Sequence, residues 1–282
     1  MGHTITVFLL TGGLFVGMLL FLEIGRRLAT GRGKRDAEIS GEGVEAEGVG
    51  AVDGAVFALL GLLLAFTFSG ASSRFDARRQ LVVEETNNIG TAFLRLDLLP
   101  AGFQSALRES FRRYLDARIE VYRNISEGEV GEESLSREAL AKANELQTQI
   151  WRQAVAASRA EGASPAAPLL LLPALNAMFD ITTTRTMAAQ MHPPAIVFIV
   201  LFGLALAASL LAGYGMTGTT LRSWFHMLGF ALAMAVAIYV ILEIEYPRLG
   251  LIRVDSFDRA LIDLRESMNR DVPPAGKNEV VR

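Results

Sequence analysis

The residues of this chain best placed to do chemistry are charged and stand at the ends of hydrophobic stretches. Glu243 and Glu245 close the last such stretch. An ionisable group at membrane depth is a functional candidate because hydrocarbon penalises its charge. Water reaches the end of a stretch, however, so the pair is readable as partners for Arg248 or for arginines of the preceding charged region, or as metal ligands. Asp53 stands at the mouth of the second stretch. An acid there caps the helix that begins at that point or acts on arriving ions, and capping is the expectation. Arg74, Arg78 and Arg79 follow the other end of the same stretch. Such a cluster either raises the local anion concentration through its field or rests on anionic lipid headgroups, at about 1 kcal/mol per residue.

Other chemistries lack their residues. There is no cysteine, which removes disulfides and thiolate metal sites. The three histidines, His3, His192 and His226, lie far apart without the i, i+4 spacing of a helical zinc site and read as interfacial or capping residues. No G-x-S-x-G, glycine-rich phosphate loop or H-E-x-x-H occurs. No catalytic residue, metal or cofactor is expected, and enzymatic function is a poor first expectation. With a net charge of −3 and no basic face interleaved with aromatics, nucleic acid is not an expected partner.

The elements that must position these charges are membrane spans. Ile5–Leu22, Val52–Ser69, Ala195–Leu211 and Trp224–Leu242 are each apolar and long enough to cross a hydrocarbon core. The first is followed by Glu23, Arg26 and Arg27 with no small-residue cleavage site, which favours a retained anchor over a cleaved signal peptide. Trp224, Tyr214 and Tyr239 lie near span ends, as interfacial aromatics do. The sequence thus reads as an all-α membrane protein, with spans 1 and 2 in residues 1–72, a large helical insert in 73–192, spans 3 and 4 in 193–246, and a partly disordered C-terminal segment in 247–282.

The insert reads as successive helices. Ser73–Leu99 is ended by Pro100, which lacks an N–H and disfavours helix in the residue before it. Leu107, Phe111, Tyr114, Leu115, Ile119 and Tyr122 then form one apolar stripe, with Arg108, Arg112, Arg113 and Glu120 on other faces. Ser126–Glu133 reads as a solvated loop, Ser134 or Ser136 as the cap of a third helix reaching about Ala160, and a fourth helix runs from near Pro168 to Gln190. Pro193 and Pro194 hinge it into the third span. Orientation is undecided by flanking charge, six basic residues on one side against seven on the other.

The run Leu60–Ser69 followed by Ser73-Arg74-Phe75-Asp76-Ala77-Arg78-Arg79 resembles the pore helix and the following basic cluster of bestrophins. The element order, including the acidic-proline segment Glu243–Pro247, is similar as well. The chain is further similar, nearly end to end, to bacterial membrane proteins with a bestrophin-like domain. That likeness rests on Arg74–Arg79, Leu175-Asn176-Ala177-Met178-Phe179-Asp180 and Gly250-Leu251-Ile252-Arg253-Val254. The resemblance implies a homo-oligomeric, pentameric channel in the bacterial inner membrane that passes anions such as chloride, with its insert in the cytoplasm. It also implies a pore lined by span 2, with Ala58, Leu62 and Phe66 as an apolar neck. The bilayer, further copies of the chain and permeant anions are the implied partners.

The chain departs from bestrophins in three places. Thr67 stands where many of them have arginine, the chain is one residue shorter between Phe75 and Asp76, and the tandem acidic run of the animal calcium clasp is missing, so calcium gating is not implied. Two other classes stay open: a non-conducting scaffold or sensor acting through its insert, and a secondary transporter, ranked last because no broken helices or repeated halves are visible.

Overall fold

The computed structural model describes residues 2–39, 47–127, 132–215, 221–246 and 255–270. Every regular element among them is helical: α1 (Gly2–Ile39), α2 (Glu47–Leu94), a short 3-10 helix (Arg95–Leu98), α3 (Ala101–Glu127), α4 (Glu132–Ser158), α5 (Ala167–Gln190), α6 (Ala195–Gly215), α7 (Leu221–Glu245) and α8 (Asp255–Arg270). Four stretches, within Ile5–Gly31, Gly50–Leu98, Ala167–Gly215 and Trp224–Glu245, are long and apolar enough to cross a membrane.

Several expectations are corrected. Span 2 and the helix expected from Ser73 are one continuous helix of 48 residues, because Ala71-Ser72-Ser73 contains no breaker. It stops where the 3-10 turn tightens it and Leu99, at ψ 156°, adopts the extended backbone demanded by Pro100. Asp53 does not cap α2, which begins at Glu47 and places Asp53 in its second turn. Helix α3 continues through Ser126 to Glu127, and α4 begins at Glu132, so Ser134 and Ser136 lie inside α4 and do not cap it. Helix α4 ends at Ser158, before Gly162 takes the left-handed φ of 81° that glycine adopts without steric cost. Within the C-terminal segment, residues 255–270 form α8, a helix that was not expected there. The tail from Asp271, like Arg248 and the Gly250–Val254 run, lies outside the described residues.

The chain divides into two compact units, 2–74 with 192–246 and 75–191 with the described part of 247–282. In the first, the membrane unit, α1 packs on α6 and α7. Val7, Thr11, Leu14, Met18 and Leu22 make its buried stripe. They meet Leu201, Ala205 and Ala208 of α6 and Met227, Ala231, Ala235 and Ile238 of α7. The recurring alanines let the backbones approach. At one crossing they touch: a Cβ on Gly213 would lie 2.0 Å from the Leu22 carbonyl oxygen, and one on Gly25 would lie 2.1 Å from that of Leu210. Small residues at such crossings are what membrane helices need, since lipid provides no hydrophobic drive to bring them together. Inside this unit Thr11 and Ser209 return their hydroxyls to the carbonyls of Val7 and Ala205, so neither leaves a bare donor in an apolar setting.

The second, helical unit has a core of large side chains. Phe111, Tyr114 and Leu115 of α3, Ile150 of α4, Leu171, Leu175 and Met178 of α5, Ile89 and Phe93 of α2, and Leu261 and Met268 of α8 are all buried in it. Polar contacts fix α8: Arg112 donates to the carbonyl of Met268 at 2.9 and 3.2 Å, and Arg265 grips Asp116 with two bonds of 2.8 and 3.1 Å.

Candidate functional site

Span 2 is the least covered of the membrane helices. Only 11% of its apolar window is buried, against 39% for the span in α7. Its contact with the membrane unit runs along one narrow edge, where Leu60 is buried and Val56, Phe57, Leu63 and Leu64 are packed in part. Phe57 meets Phe230 edge to face, the centroids 6.1 Å apart. Ala58, Leu62 and Phe66 lie on the uncovered side one turn apart, with Leu62 52% and Phe66 65% exposed. Thr67 bonds through Oγ1 to the carbonyls of Leu63 and Leu64 at 2.8 and 3.0 Å, so its hydroxyl is spent on its own helix.

At the far end of this span the membrane unit holds a charged tie. Glu245, the last residue of α7, is fully buried. Arg74 of α2 grips it with one edge of its guanidinium: Nε is 3.1 and 3.0 Å from the two carboxylate oxygens, and Nη2 is 2.6 Å from Oε2. From the segment leading into α6, Nδ1 of His192 lies 3.0 Å from Oε1 of the same carboxylate, and its ring stacks on Tyr246 at 4.5 Å. One carboxylate thus joins groups from the ends of spans 2, 3 and 4. A planar bidentate grip of this kind is among the strongest and most directional of side-chain contacts. Glu243 is also buried, and it accepts the hydroxyl of Tyr239 one turn earlier.

The other two predicted arginines belong to the helical unit and have distinct partners. Arg78 donates to the carbonyls of Ala188 and Met191 at 3.1 and 2.8 Å, occupying the C-terminal end of α5, where a cation complements the helix dipole. Arg79 reaches Asp76 at 3.2 Å and lies over the ring of Phe75. The predicted site residues therefore do not converge on one place. Glu245 and Arg74 meet; Ala58, Leu62 and Phe66 share a face; Arg78 and Arg79 each serve local structure. Among the described residues, no three His, Asp or Glu side chains gather as metal ligands.

Sequence reasoning missed a second polar centre, in the helical unit. Glu85 of α2 is fully buried, with Arg118 Nε at 2.8 Å from Oε1 and with Arg185 on Oε2. Tyr122 donates to Oε2 at 2.9 Å and accepts from Arg118, and the Arg185 guanidinium lies 3.8 Å over its ring. Burial by itself raises the Glu85 carboxyl, but the charges and hydrogen bonds of the two guanidiniums outweigh it and hold the group below the ordinary carboxylate range. Burial, reinforced by the Glu85 charge, pushes the Tyr122 phenol well up, so it stays protonated and donates. Burial also raises the neighbouring Tyr114 phenol, to about 12. The available signal was Arg118, which falls four residues from both Tyr114 and Tyr122 on the apolar stripe of α3. A charge on a buried stripe needs a partner. His192 was missed for a different reason, since its partner is 53 residues away in sequence.

Comparison with known proteins gives three findings. A family model described as the bestrophin-like domain matches residues 36–256. No curated protein matches the chain. Among solved structures, a tryptophan-to-alanine variant of a bacterial bestrophin homologue from Klebsiella pneumoniae is similar at a TM-score of 0.64 and 14% identity, covering 89% of this chain and 97% of that one. A tyrosine-to-alanine variant of the homologue from the same organism gives 0.63 at 15% identity, covering 88% and 98%. A proline-to-alanine variant described as a membrane protein gives 0.64 at 14%, covering 89% and 98%.

Proposed function

Because the chain belongs to the bestrophin-like domain family, we propose that it is a passive anion channel, chloride being the reference ion. In this reading five copies ring a conduit lined by their α2 helices. Family and fold support an ion channel embedded in a membrane. The observation that carries the finer reading is the bare face of span 2. The other spans bury between 22 and 39% of their apolar windows within the chain, and this one buries 11%. Copies of the chain meeting around an axis would give that face a use. The helical unit would then lie in the cytoplasm of a bacterium, beneath its inner membrane.

In this assembly Ala58, Leu62 and Phe66 form the neck. A narrow ring of apolar side chains holds water poorly, and an ion entering it gives up hydration, so the neck gates by dewetting. Phenylalanine offers an anion the positive edge of its ring. Asp53 faces traffic at one mouth. Near the other, Arg74 fixes the span while Arg78 and Arg79 add positive potential, tempered by their local partners.

Planar-bilayer recording of the purified protein tests the reading. The expected result is unitary anion currents that grow in Phe66→Ala, because a smaller side chain widens and wets the neck. Silence in every condition, together with a monomer or dimer by native mass spectrometry, overturns it in favour of a scaffold acting through the helical unit.

A further inference from the structure

The tie at the end of span 2 contains an imidazole, the side-chain type whose unperturbed charge change falls between about pH 5 and 8. We propose that His192 makes this tie acid-responsive, so that protonation of its ring tightens the junction between the ends of spans 2, 3 and 4.

The geometry fixes the direction. Nδ1 of His192 faces the Glu245 carboxylate at 3.0 Å, so it is the donor in this contact, and protonation at Nε2 turns a hydrogen bond with one charged partner into an ion pair with two. Two further features favour the cation. The ring stacks on Tyr246 at 4.5 Å, which attracts a cation through its π face. Glu245 ends α7, where the unpaired carbonyls of a helix terminus carry partial negative charge. Two features oppose it: Arg74, which shares Oε1 at 3.1 Å, and the positive end of α6, which begins at Ala195. Arg74 Nε and His192 Nδ1 bond the same carboxylate oxygen at 3.1 and 3.0 Å, so its negative charge offsets their mutual repulsion and attraction prevails. Burial strengthens that outcome, because Glu245 is 0% exposed and its field is little screened by water.

Acid therefore strengthens the tie, and the gain fades as the ring gives up its second proton. If span 2 lines the conduit proposed above, the same proton sets how firmly the end of that span is held; this consequence alone rests on that reading. The test compares wild type with His192→Asn, whose amide nitrogen places a neutral donor where Nδ1 stands. Thermal unfolding of the purified full-length protein at pH 5.5 and pH 8 should show wild type ahead of the variant by on the order of 2 °C at the lower pH, with the gap closing at the higher. An equal gap at both values, or none at either, overturns the proposal. Glu245→Gln is the second variant: with no carboxylate charge to meet, replacing His192 in its background should leave no pH-dependent difference, and a surviving difference overturns the proposal. Currents recorded alongside keep the two ideas separate, since silent protein that still shows the pH-dependent gap sinks the channel and leaves the tie standing.

Discussion

The two halves of α2 are one helix put to opposite uses. The half in the membrane unit is almost wholly apolar and is left largely uncovered, with Leu62 and Phe66 more than half exposed. The half in the helical unit carries a carboxylate, Glu85, with no exposure at all. Burial along this helix follows what the neighbouring elements offer more than the hydropathy of its own residues. A span can leave its apolar side bare because lipid or another copy of the chain will cover it. A soluble helix can bury a carboxylate only when two guanidiniums and a phenol are built around it.

The largest expected effect breaks the first half of the comparison by removing the platform that supports it. Gly213→Leu puts a side chain where a Cβ already meets the Leu22 carbonyl oxygen at 2.0 Å. Backbone cannot step aside as a side chain can, so α1 and α6 must part, at a cost beyond the roughly 3 kcal/mol that bounds ordinary overpacking. The expected outcome is loss of folded protein on size-exclusion chromatography. Gly203→Ala, with nothing within 4 Å of its Cβ, should fold normally.

Next is the charged centre of the second half. Arg118→Ala leaves Glu85 short of a buried partner and should cost about 3–5 kcal/mol, read as a large fall in the thermal midpoint. The pH dependence has a definite sign. The folded Glu85 carboxyl is held below its ordinary value, so its stabilisation is present above the unfolded value of about 4.3 and is lost as pH falls through the folded one. The margin of wild type over Glu85→Gln should be flat from pH 5 to 7 and shrink below about pH 4. A margin that grows on acidification would mean that Glu85 does not act as a paired carboxylate.

Which parts of this were legible in the sequence depends on the range of the interaction. The spans and the apolar stripe of α3 are local patterns, and the structure has helices at each. At Ser73 charge changes abruptly while helix propensity does not, so span and insert share one helix, α2. Helix α8 was missed although Phe257, Leu261, Leu264 and Met268 fall at i, i+4, i+7 and i+11, a helical stripe that the sequence carries. Ion pairs were the least legible feature. Arg74 meets a residue 171 positions away and Arg185 one 100 positions away, and nothing in the spacing of charges along the chain selects those partners from the other acids. The capping role expected of Asp53 failed because the helix begins six residues before it, at Glu47.

A smaller effect sharpens the contrast among the arginines of α2. Arg78→Ala strips the last carbonyls of α5 of a cationic donor and should cost about 1 kcal/mol. Arg79→Ala removes an exposed i, i+3 pair with Asp76, worth about 0.2–0.5 kcal/mol. Thermal unfolding at low and at 1 M salt separates them, because screening erases the exposed pair and leaves most of the hydrogen-bonded cap.

The smallest expected change in stability is also the sharpest test of why span 2 is bare. Phe66 and Phe111 are the same residue type in helices of one chain, 65% and 0% exposed. Phe111→Ala opens a cavity in a core that cannot collapse and should cost about 3–5 kcal/mol. Phe66→Ala removes a ring that touches little within its own chain, so the isolated protomer should change by no more than about 0.5 kcal/mol. If copies assemble around α2, the two outcomes part further once the oligomer forms. A ring facing an open axis leaves both assembly and midpoint unchanged while ion flux rises. A ring wedged between copies weakens the oligomer, seen by native mass spectrometry as dissociation at a concentration where wild type stays whole. A phenylalanine facing lipid moves neither flux nor assembly, and that result would place the bare side of α2 on the outside of the particle.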